Sequence, residues 1–185
     1  MSRGFFIYLI SILQSILELE AAVQRNLSDA GAWYELGVKQ QENEREDKAL
    51  QALQRAVMLD PTHLPSWLAL ATSYTNDNNH QGTYDAIYEW VSRNAKYESA
   101  VRTFRALRSE SLEMTLAERH SELVQCLIAM VTSGGGESGE VDADIQIALA
   151  VLLNTSEEYA KALDCFTTAL AVRPDVSSTF SFWRV

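Results

Sequence analysis

Helix breakers, cysteines and histidines are all scarce in this sequence. Its 185 residues include three prolines (Pro61, Pro65 and Pro174), eight glycines, two cysteines and three histidines. So little proline and glycine, with 47% hydrophobic residues, fits a helical solenoid that can bury a core. Two cysteines cannot build a disulfide framework. Cys126 and Cys165 fall at apolar helical positions and are expected to be buried free thiols in a reducing compartment. His63, His80 and His120 stand apart from one another, without metal-ligand spacing, and are expected at the surface. No Gly-rich phosphate loop and no nucleophile with a paired base is present. The expectation is a non-enzyme with no catalytic residue, metal or cofactor. Basic residues are also few, 15 against 25 acidic ones for a net charge of -10. That balance argues against nucleic acid or an anionic membrane as partner.

What is present is a repeat. Trp33, Leu36 and Gly37 are echoed 34 residues on by Trp67, Leu70 and Ala71, and each group is followed by a second apolar helical pattern. This is the period of the tetratricopeptide repeat, in which a large/small apolar set on the first helix packs against small residues of the second. In the first copy the small positions are Ala49 and Ala56, with Leu53 between them and Pro61 ending the unit. The second copy keeps Tyr74 but places Thr83 and Trp90 where alanines are expected. A third copy runs from Leu149, Ala150 and Leu153 to Ala162, Phe166, Ala169 and Pro174, out of phase with the first two.

The expected fold is all-α, a superhelix of antiparallel helix pairs incomplete at both ends. Its parts are an apolar N-terminal helix (1–31), two repeats (32–95), a degenerate helical repeat (96–131), a flexible Gly-rich loop (132–140), a further repeat (141–175) and a non-repeat tail (176–185). In the first part, Ile12 to Gln24 reads as the second helix of a repeat, with Leu19 and Ala22 in the packing positions. Phe5 to Leu19 would form a helix about 22 Å long, short of a hydrocarbon layer of about 30 Å, so no membrane span is expected. Uncovered apolar residues at the two ends, Phe5 to Leu13 and Phe166 with Leu170, predict self-association.

Such solenoids bind extended peptides on a concave face lined by the first helix of each pair. Helical projection points Tyr34, Val38, Gln41 and Glu42 inward in the first copy, Leu68, Thr72, Thr75 and Asn76 in the second, and Ile147, Val151 and Asn154 in the third. Asn76 and Asn154 fall at nearly the same repeat position. An asparagine can donate to a peptide carbonyl and accept from a peptide N–H with no charge to desolvate. No Lys or Arg stands at these inward positions, which disfavours a chaperone-tail adaptor.

Several segments in order carry a resemblance: Ala32 to Gly37 with Gln41 to Glu44, Leu70 to Asn76, Val151 to Asn154, Glu158 to Phe166, and Val172 to Pro174. Over roughly Leu19 to Asp175 the chain resembles the receptors for the type 1 peroxisomal targeting signal, with Glu140 to Gln146 similar to fungal members. The resemblance implies recognition of C-terminal tripeptides of the Ser-Lys-Leu type on matrix proteins. It also implies contact with peroxisomal docking proteins and a cytoplasmic location with cycling to the peroxisomal membrane. Carried over by position, Thr75, Asn76 and Asn154 would contact the signal, with Thr72 and Asp77 flanking them. Glu42 and Glu44 are expected to face its lysine. The family's later repeats, which hold the terminal carboxylate, have no counterpart here, so a weakened or partial receptor is expected. The alternative is a repeat scaffold that binds no signal.

Overall fold

A computed structural model describes residues 3–107, 114–134 and 141–174. Among these residues the chain forms nine α-helices: α1 (Arg3–Arg25), α2 (Ala30–Glu42), α3 (Glu46–Leu59), α4 (Leu64–Asn76), α5 (His80–Arg93), α6 (Glu98–Ala106), α7 (Leu116–Gly134), α8 (Ala143–Thr155) and α9 (Tyr159–Val172), with a 3-10 turn at Ala95–Tyr97 between α5 and α6. The architecture is the expected all-α superhelix, with α2/α3, α4/α5 and α8/α9 as its repeat pairs.

The repeat period has a local physical cause. The Trp33 indole N–H donates to the Leu27 carbonyl at 3.1 Å, and that of Trp67 makes the same bond to Pro61 at 2.9 Å. Each tryptophan thereby fixes the turn that leads into its own helix. Within each pair the helices are joined by one turn type: Arg45, Asn79 and Glu158 donate their backbone N–H to the carbonyls of Gln40, Tyr74 and Leu153. The residue before each donor, Glu44, Asn78 and Glu157, has φ of 56°, 56° and 62°. This is the Schellman closure, in which a left-handed residue satisfies the last carbonyls of a helix. Asparagine adopts that conformation at lower cost than glutamate. Glu44→Asn is therefore expected to raise stability by about 0.5–1 kcal/mol and Asn78→Glu to lower it by a similar amount, read by thermal unfolding.

Close approach explains the small residues. A Cβ on Gly37 would lie 2.5 Å from Leu53 Cγ, so α2 and α3 meet at a distance only glycine allows. The second pair solves the same problem with different side chains. Thr83, at an alanine position, is fully buried and shares a 3.1 Å hydrogen bond with Thr75. Trp90, at the other alanine position, fills the core at 1% exposure.

A single large core runs from α3 to α9, and a smaller one joins α1 to the first pair through Ile16, Val23, Leu36 and Ala52. The α1 seam thus falls on Ile16, Leu19 and Val23, rather than on Leu19 and Ala22, because positions three and seven residues apart share a helix face. Among the described residues no helix is long and apolar enough to cross a membrane. Thr132, Ser133 and Gly134, expected in a loop, form the end of α7. The two hydroxyls bond back to the carbonyls of Ala129 and Met130 and so satisfy the helix terminus. Residues 135–140 of the expected loop and 176–185 of the expected tail lie outside the described residues.

Three further expectations are corrected. Phe166 is buried while Leu170 is half-buried as expected, and the large apolar side chains that α9 exposes are Tyr159, Leu163 and Val172. The side chains of Phe5 to Leu13 lie outside the description. Cys165 is only half-buried; burial, and then the Asp164 charge, push its thiol pKa up. His63 and His120 are half-buried braces rather than surface side chains. The former bonds Ser66 at 2.6 Å and packs edge-on to Tyr34, and the latter bonds the Leu152 carbonyl at 3.0 Å beside Tyr84.

Candidate functional site

The expected signal-contacting residues begin on the inner face of α4. Thr72 and Thr75 are nearly inaccessible, at 1% and 6% exposure. Their hydroxyls donate to the carbonyls of Leu68 and Ala71, one turn back. Such back-bonding satisfies a buried hydroxyl without an outside partner. Asn76 ends the helix half-buried, and its amide donates to Glu46 Oε1 at 2.7 Å. Asp77, the exposed C-cap, donates its backbone N–H to the Ser73 and Thr75 carbonyls.

Asn154 lies on the last turn of α8, half-buried. The left-handed turn residues set the register among the pairs. Counted back from Glu44, Asn78 and Glu157, Asn154 is the equivalent of Thr75 and Gln41, whereas Asn76 is the equivalent of Glu42 and Thr155. Asn76 and Asn154 are therefore one position out of step, and one residue turns a side chain by about 100° around an α-helix. They belong to different helix faces.

The two helices nonetheless meet. Leu68 of α4 and Ile147 and Val151 of α8, all expected to line an open groove, are buried in one continuous core. α8 packs on α4, and Thr155 lies 3.4 Å from the Tyr84 hydroxyl of α5, whose neighbour Thr83 bonds Thr75. The first copy also faces this end of the chain. Burial, followed by the Glu35 charge, raises the Tyr34 pKa, with smaller influences from Arg173 and Asp144. Arg173 and Asp144 pair with each other. The inner faces of α4 and α8 thus close on one another and leave half-buried Asn76 and Asn154 at the ends of these helices.

The expected acidic contacts lie where α2 turns into α3. Glu42 is paired with Lys39 at 2.6 Å, and Glu44 is exposed in the left-handed turn. The carboxylate that meets the α4 end is Glu46, in the first turn of α3. Its pKa is raised, by burial first and by the Asp77 charge, against the lowering effect of hydrogen bonds from Asn76 and Ser73. Beside it Gln41 is fully buried, its amide donating to the Ala69 carbonyl at 2.9 Å and to Ser73 Oγ at 2.7 Å. Sequence reading missed Glu46 because it stands beyond the turn, outside any inward projection of α2. The acid one residue past a helix-pair turn was the available signal.

Comparison with known proteins agrees with this fold. Residues 30–63 match the tetratricopeptide repeat family. The PEX5-related protein of Homo sapiens is 35% identical over 171 residues, covering 92% of this chain and 27% of that protein. The peroxisomal targeting signal receptor of Yarrowia lipolytica is 37% identical over 164 residues, covering 88% of this chain and 27% of that one. The receptor of Komagataella phaffii is 32% identical over 159 residues, 86% of this chain and 27% of its own length. The chain thus spans about a quarter of the length of these relatives. Among solved structures, a crystal structure of MamA superposes with a TM-score of 0.51 at 13% identity, over 96% of this chain and 98% of that one, which speaks for the fold alone. The chain thus has a tetratricopeptide-repeat fold, and its sequence is similar to a segment of the peroxisomal targeting signal receptors.

Proposed function

We propose that this chain binds the C-terminal tripeptide of peroxisomal matrix proteins, of the Ser-Lys-Leu type, as part of their import. The observation that carries this reading is identity of 32–37% with peroxisomal targeting signal receptors over nearly nine-tenths of the chain. Contact with peroxisomal docking proteins and cycling between cytoplasm and peroxisomal membrane belong to the same reading.

Asn76, Asp77 and Glu46 form its polar core. Asn76 supplies amide groups to the peptide backbone, and the Glu46 and Asp77 carboxylates attract the lysine of the signal. Thr72 and Thr75 are reached only when α8 parts from α4, whereas Asn154 is already half-buried at the end of α8. Binding therefore draws on the fraction of molecules in which those helices have separated, and the apparent affinity falls by that fraction.

A titration followed by fluorescence anisotropy tests the proposal, using a labelled peptide ending in Ser-Lys-Leu and the same peptide with an amidated terminus. Saturable binding that needs the free carboxylate is expected, weakened about tenfold by Asn76→Ala. Equal binding of both peptides, or none, would leave a scaffold that binds no signal, a role for which the closed α4–α8 face is suited.

A further inference from the structure

A second site lies away from the α4–α8 face, where α5, α6 and α7 fail to close on one another. α6 has only 9 residues, against 13 and 14 in α4 and α5, so it covers α5 along part of its length. The gap is a cleft of about 290 Å3. This is near the lower bound of roughly 300–1,000 Å3 for small-molecule pockets. Val91, Leu123 and Cys126 form its buried floor, and Phe104 and Met114 its sides.

Charge at the mouth is arranged around one ring. Tyr88 is 41% exposed there, with the Arg105 guanidinium carbon 4.8 Å and that of Arg119 5.8 Å from its ring centroid. Arg119 is neutralised by Asp85 at 2.5 Å. Arg105 has no carboxylate partner among the described residues. It donates to Ser92 Oγ at 2.9 Å, while the Ser92 hydroxyl donates to the Tyr88 carbonyl at 2.7 Å. A guanidinium stacked on a ring and held by a hydroxyl has lost most of its conformational freedom before any ligand arrives. Its remaining N–H groups suit a carboxylate. Glu122 also lines the cleft, which confines an anion to the Arg105 side.

We propose that this cleft binds a small amphiphilic monocarboxylate, its apolar or aromatic body on the Phe104–Leu123–Cys126 surface and its carboxylate on Arg105. In a chain of net charge -10, a half-buried cation without an acidic partner among the described residues, beside an apolar floor, is complementary to that class. The proposal is independent of signal binding at α4.

Calorimetric titration of the full chain with phenylbutyrate, and with phenylbutylammonium as the cation of matching body, tests it. One-to-one binding of the anion is expected, with the cation at least about fivefold weaker. Arg105→Gln should weaken the anion by a similar factor and leave the cation unchanged. Met114→Glu, at a partly exposed side chain, should abolish anion binding without altering the thermal transition. Equal binding of both ions, or anion binding indifferent to Arg105→Gln, would reduce the cleft to a nonspecific apolar groove and overturn the proposal. Absence of anion binding would overturn it as well.

Discussion

Trp90→Ala is expected to lower the unfolding free energy by about 3–5 kcal/mol, the range for truncating a buried aromatic. Trp90 is 1% exposed in α5 and belongs to the core that links α3 to α9. Truncation removes the transfer free energy of the ring and leaves a cavity that several helices would have to move to fill. Against a total stability of about 5–15 kcal/mol, this is enough to unfold an appreciable fraction of molecules. Trp90→Phe separates volume from polarity. The Trp90 indole N–H is buried without a hydrogen-bond partner among the described residues, an arrangement that costs stability. Phenylalanine keeps most of the ring and removes that donor, so its loss should be about 1–2 kcal/mol. Urea unfolding followed by circular dichroism distinguishes the two variants. Equal losses would show that the indole N–H is satisfied in solution, and a negligible loss for alanine would contradict the burial of Trp90.

Asp142→Ala is expected to cost about 2–3 kcal/mol through two roles that one carboxylate performs. Asp142 caps α8, its Oδ1 accepting the Asp144 backbone N–H at 3.0 Å. Its Oδ2 accepts from the Tyr97 hydroxyl at 2.7 Å and from Lys96 at 2.6 Å, tying the last described repeat to the 3-10 turn after α5. Lys96 is 65% exposed and contributes little, whereas the buried Tyr97 hydroxyl would be left without its partner. Asp142→Asn retains the capping oxygen and should cost about half as much. Burial pushes the Asp142 carboxyl up, but hydrogen bonds from Lys96 and Tyr97 and the Lys96 charge outweigh it, and the net shift is downward. A depressed folded-state pKa means that the stabilisation is present above the unfolded value of 3.8 and is lost as pH falls through the folded value. Glu46 acts in the opposite sense, because its raised folded-state pKa favours the fold at low pH and that contribution disappears as pH rises through it. The stability difference between the wild type and Asp142→Asn should therefore be largest at about pH 7 and shrink below about pH 4. A difference independent of pH would assign the loss to cap geometry rather than to the charge.

Much of the fold was legible because the repeat writes its packing rules into local sequence. Trp33 and Trp67 mark helix starts by bonding back to their own turns, and the Gly37–Leu53 contact is a short-range consequence of one pair's geometry. The all-α class, the 34-residue period and the likeness to signal receptors all rest on such short segments. Even the out-of-phase third copy could be found, since Ala162, Phe166 and Ala169 form one buried stripe on one helix.

The site was less legible, because its state depends on distances across the chain. Inward projection selects Thr72, Thr75, Ile147 and Val151 correctly as one kind of face, but an open groove and a closed one use the same projection. Nothing local says that α8 lies on α4, so the burial of these residues is a tertiary fact. The one-position offset between Asn76 and Asn154 likewise appears only when the left-handed turns fix the register. Glu46 becomes the acid at the α4 end because α3 returns antiparallel and brings its first turn to Asn76. The sequence alone determined which residues fold into helix pairs, since pairing within a repeat is set by neighbours in the chain. Only the tertiary structure decided which faces remain open, since that depends on how an irregular repeat turns α8 back onto α4 and α5.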